Sequence, residues 1–128
     1  MSKQVIYTDK APAAIGPYSQ AIALGDWVFS SGQIPLHPET GEIVGETIEE
    51  QAHQVFKNLK AVLEQSGCSF NHIIKATVFI TDMAEFPKLN AVYEEYLGQV
   101  KPARSTVAVR ALPKNVLVEI EAIAHKQA

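Results

Sequence analysis

The chain has 128 residues, 47% of them hydrophobic and 20% charged, and 11 Lys and Arg against 14 Asp and Glu leave a net charge of −3. That length gives one domain over residues 1–128 with a real core, because folding buries roughly two-thirds of the unfolded surface at this size, and the composition excludes a disordered or low-complexity chain. The mixed charges form no basic stripe for nucleic acid, and no apolar run approaches the roughly 18 residues of a membrane span or resembles a signal-peptide core, so no nucleic acid, no membrane and a cytoplasmic location are expected.

In chain order, the first third reads as strands over 4–8, 19–24 and 27–33, the last two joined by a tight turn at Gly25-Asp26. Residues 37–45, HPETGEIVG, have the proline, glycine and acids of an exposed loop with room for one short strand. A helix follows: Thr47-x-x-Glu50 has the form of a capping box, and Ile48, Ala52, Val55, Phe56, Leu59, Val62 and Leu63 recur at steps of three and four. Gly67 is placed to stop it in a left-handed conformation, and 73–81 is β-branched and alternating enough for a buried strand. A second helix starts near Met83 or Ala84 with Pro87 in its first turn and Phe86, Leu89, Tyr93, Tyr96 and Leu97 on its apolar face. Strands over 104–110 and 116–124, separated by a turn at 112–115, close the chain.

The order β-β-β-α-β-α-β-β implies an α+β, two-layer architecture, one mixed sheet with both helices on one face. The other sheet face then needs a cover, and a copy of the same chain is the simplest one, so a homo-oligomer is expected.

Common catalytic motifs are missing: there is no G-x-G-x-x-G, P-loop or G-x-S-x-G, and His37, His53, His72 and His125 share no ligand spacing, so no metal is expected. Cys68 has no disulfide or zinc partners and reads as a reduced bystander. On the last strand, alternation puts Glu119 and Glu121 on one face between Leu117 and Ile123. They are either solvated acids on a half-exposed face or covered carboxylates, which must be paired or protonated. Arg104, at a strand start after Pro102, is suited to gripping a carboxylate by two parallel bonds; a structural ion pair with Glu119 or Glu121 is the equal alternative. The segments around Tyr18 and Ser31-Gly32 put glycine beside hydroxyl groups, which serves close ligand approach or plain turn chemistry. Asn90, among apolar helix positions, is a ligand donor or an exposed polar group.

Four separated blocks in order, APAAIGPYSQA (11–21), SGQIP (31–35), Asn90 with AVYEEY, and PARSTVAVRALPKNVLVEIEAIA (102–124), resemble the RidA/YjgF family of reactive intermediate deaminases. The resemblance implies a chorismate-mutase-like fold, a homotrimer with sites in the clefts between subunits, and no cofactor. It implies hydrolysis of 2-aminoacrylate, its tautomer 2-iminopropanoate and related 2-imino acids to 2-oxo acids and ammonia. By position, Arg104 is similar to the family's carboxylate-binding arginine and Glu119 to its water-orienting carboxylate, while Tyr18, Ser31, Gly32 and Asn90 match other substrate-binding positions. Thr106, grouped with the substrate-binding residues, stands where many bacterial members have cysteine, so thiol chemistry is not expected there. The alternative is a regulatory protein that holds a small 2-oxo acid in the same cleft without turnover.

Overall fold

The computed structural model describes residues 2–128, and its elements follow the expected order. They are β1 (Lys3–Ile6), β2 (Ala21–Leu24), β3 (Trp27–Ser30), α1 (Ile48–Gln65), β4 (Ile73–Ile80), α2 (Phe86–Leu97), β5 (Ala103–Ala108) and β6 (Val118–His125). Thr47 caps α1 through the reciprocal bonds of a capping box with Glu50, and all seven residues of its apolar stripe are buried. Gly67 ends the helix at φ +85°, while the Cys68 amide returns to the Leu63 carbonyl at 2.9 Å.

One six-stranded mixed sheet runs in the order β1-β2-β3-β6-β4-β5, with β4 and β5 parallel and the remaining pairs antiparallel. Alternation sends Val28, Val78, Ile80, Val118 and Ile120, all 0% exposed, into one core with α1 and α2. The opposite face carries Trp27 and Phe29, each 44% exposed, and Val107, 40% exposed.

Several ends differ from the sequence expectation. β1 stops at Ile6 and β2 starts at Ala21 because Gln20 turns inward, where it accepts from the Thr8 amide at 2.7 Å and donates to the carbonyls of Thr8 and Pro12 at 3.0 and 2.8 Å. α2 begins at Phe86, since a 3₁₀ turn over Met83–Glu85, capped by Asp82, occupies the preceding positions. β5 runs from Ala103 to Ala108 and β6 from Val118 to His125. β3 ends at Ser30, where the chain bulges off β6: Phe29 opposes Ile123, yet the next bridge joins Gln33 to Ile120. Three residues thus face two, and Ser30 Oγ accepts the bypassed Ala122 amide at 2.9 Å.

Candidate functional site

The bulge matters because Ser31 and Gly32 lie on it, directly over the start of β6. Glu119 opposes Phe79 on the face turned away from the helices, beside Gly32. A cavity of about 580 Å³ opens there, lined among others by Tyr18, Ser31, Gly32, Lys114 and Glu119. Buried polar side chains hold its walls. Gln20 fixes the segment leading to Tyr18, and Asn58 donates to the carbonyls of Ile34 and Leu36 at 3.1 and 3.0 Å. Ser31 spends its hydroxyl proton on the Ser19 carbonyl. Burial, and secondarily the charge of Glu121, holds the Glu119 carboxyl above the usual carboxylate range.

A Cβ at Gly32 would collide with the Glu119 carboxyl group. The obstacle is the end of a flexible side chain, so Gly32→Ala is expected to leave the melting temperature within a few degrees of wild type while displacing the carboxyl and lowering turnover about tenfold or more. Thermal melts beside a turnover assay check this.

Arg104 occupies a different place. β5 is an edge strand, and Arg104 opposes Ala76, which faces the helices. Its Nη1 donates to Asn90 Oδ1 at 2.7 Å, and its Cζ lies 5.3 Å from the centre of the Phe86 ring and 4.6 Å from that of Tyr93. Phe86, Asn90 and Tyr93, spaced four and three apart on α2, therefore seat the guanidinium. Thr106 follows on the same face, opposite Val78, with its hydroxyl buried.

The ion pair between Arg104 and Glu119 or Glu121 is not formed. β4 lies between β5 and β6, and Arg104 faces the helices while both carboxylates face away. The structure thus groups the site residues in two sets: Tyr18, Ser31, Gly32 and Glu119 in one, Asn90, Arg104 and Thr106 in the other. The sequence reading missed the role of Phe86 and Tyr93, which it took for core alone; the signal was a polar Asn90 inside their stripe. It also missed Lys114, which reaches the cavity from a left-handed turn at φ 57° and donates to the Gly41 carbonyl at 3.2 Å, fastening the loop over 37–45. His53 is half-buried and bonded to the Tyr96 hydroxyl at 2.7 Å, and Cys68 is buried with its thiol pushed up by desolvation. Among the described residues no three His, Cys, Asp or Glu cluster as metal ligands, and no helix is long and apolar enough to cross a membrane.

The family model described as endoribonuclease L-PSP matches residues 8–126. A RutC family protein of Pyrococcus abyssi is 55% identical over 99% of this chain and 100% of its own. The chloroplastic Reactive Intermediate Deaminase A of Arabidopsis thaliana is 47% identical over 97% of this chain and 66% of its own. The crystal structure of E. coli TdcF with bound serine superposes with a TM-score of 0.90 at 47% identity, covering 95% of this chain and 98% of the other. With a family model matched over residues 8–126, a matching fold and near-complete coverage by its relatives, the chain belongs to the RidA/YjgF family.

Proposed function

We propose that the protein hydrolyses reactive enamines and imines of the 2-imino acid class, 2-aminoacrylate and 2-iminopropanoate among them, to 2-oxo acids and ammonia. The observations that carry this are a seated, exposed guanidinium in one set of residues and, in the other, a carboxyl group whose proton affinity is raised. Arg104 grips the substrate carboxylate. Glu119 orients a water toward the imine carbon and accepts its proton as the C–O bond forms. The proton passes to nitrogen to give a carbinolamine; Glu119 then carries the hydroxyl proton to the same nitrogen as the C–N bond breaks, so that ammonia leaves as the carbonyl forms. Imines are electrophilic enough that positioning and one acid–base group suffice, the latter worth about 10² to 10⁴ in rate. The 2-aminoacrylate tautomer enters by taking a proton at its methylene carbon.

Arg104 and Glu119 lie on opposite sheet faces, so one chain cannot present both to a three-carbon substrate. We infer a homotrimer in which the Arg104 half-site of one copy completes the Glu119 half-site of the next. The apolar face bearing Trp27, Phe29 and Val107 supports this, because an isolated chain would leave it in water. Phe29→Asp is expected to give a folded, monomeric and inactive protein; sedimentation of that variant as a full-activity monomer would refute the shared site. The acidic cavity, with Glu39 and Glu119 against Lys114, disfavours a polyanion such as RNA.

The direct experiment is release of 2-oxo acid and ammonia from 2-iminopropanoate generated in place by a dehydratase. Release faster than the spontaneous rate is expected. A folded trimer that binds 2-oxo acids without accelerating release would instead be a regulatory binding protein.

A further inference from the structure

Among the described residues, two buried side-chain oxygens have no hydrogen-bond partner, Tyr93 Oη on α2 and Thr106 Oγ1 on β5. Such groups are costly to bury unpaired and call for an explanation. The buried Gln20, Gln51, Asn58 and Ser66 all bond to backbone, whereas both exceptions belong to residues that flank Arg104. Tyr93 is 6% exposed and its ring lies under Arg104, 4.6 Å from Cζ. Thr106 stands two residues beyond Arg104 on the same face.

A carboxylate offers about four lone-pair sites, of which a bidentate guanidinium fills two. Two hydroxyl donors match the remaining pair. We propose that Tyr93 is a further binding residue of this half-site, its hydroxyl donating, together with that of Thr106, to the ligand carboxylate that Arg104 grips. Both oxygens are closed to solvent in this conformation. Their contact with a ligand requires the exposed guanidinium, held by Asn90 and two ring faces, to shift outward. Desolvation holds the phenol above its usual range against the opposing charge of Arg104, so it remains a protonated donor at neutral pH. The proposal rests on the carboxylate-anchor part of the function above and is independent of turnover.

The test is calorimetric titration of the wild type, Tyr93→Phe, Thr106→Val and the double variant with 2-oxobutanoate, with melting temperatures recorded for each. Each single change is expected to weaken binding about tenfold or more, as for a hydrogen bond to a charged group. Tyr93→Phe should melt at or above the wild-type temperature, since it removes an unpaired buried hydroxyl. Binding by Tyr93→Phe within twofold of wild type overturns the proposal. So does a Tyr93→Phe protein that melts well below wild type, because the hydroxyl then has a structural partner. A folded wild type that binds no 2-oxo acid overturns it together with the Arg104 anchor. Tyr93-dependent binding without any acceleration of imine hydrolysis would sink the deaminase reading and leave this one standing.

Discussion

Arg104→Ala is expected to lower kcat/KM for 2-iminopropanoate by about 10²-fold or more while leaving the melting temperature nearly unchanged. The guanidinium is exposed and has, among the described residues, a single polar partner, Asn90, so the fold loses little when it is removed. A charged, two-pronged hydrogen bond to the substrate is worth about 1.5–3 kcal/mol, and its loss also frees the imine carbon to wander from the attacking water. Arg104→Lys keeps the charge but lacks the planar fork, so it should recover only part of the activity. Retained activity in Arg104→Ala would place the anchor elsewhere.

The same variant decides whether the site is shared. Arg104→Ala and Glu119→Gln subunits are each expected to be inactive alone. Unfolded together and refolded as mixed oligomers, they should regain about one quarter of the wild-type activity, because a random mixture places an intact Arg104 beside an intact Glu119 at about one interface in four. No recovery in properly mixed oligomers would mean that both groups act within one chain, which their opposite faces argue against.

Glu119→Gln carries the second large effect, with kcat falling about 10² to 10⁴-fold and 2-oxo acid binding little changed. Glutamine keeps the shape and cannot take the proton from water. Stability should move in the other direction. Burial raises the folded carboxyl above its unfolded value, so its favourable contribution is full below the unfolded pKa and lost as pH rises through the folded one. At neutral pH the variant should therefore melt above the wild type, with the gap closing as pH falls through the carboxylate range. The acid limb of kcat/KM should likewise lie above the ordinary glutamate value, because the working form is the ionised one. An acid limb at or below that value would mean that Glu119 is not the group accepting the proton.

Local patterns in the chain were enough for the elements and for the paired layers. The seven-residue stripe and capping box of α1, the stop at Gly67 and the alternation that groups Glu119 with Glu121 all appear as read from the sequence. Each depends on neighbours within a few residues, where backbone geometry alone decides which side chains share a face. The four family blocks also contain the candidate residues that the fold gathers into two sets.

Tertiary structure alone decided how those residues meet. Alternation cannot say which strand lies beside which, so nothing local placed β4 between β5 and β6 or turned Arg104 and Glu119 to opposite faces. Nor could it show that Gly32 is held against the Glu119 carboxyl, or that the ring of Tyr93 seats a guanidinium while its hydroxyl is left without a partner. These are contacts between segments far apart in the chain, fixed by strand pairing and helix packing. The candidate residues could be read in order, whereas their division into two sets is a property of the folded sheet.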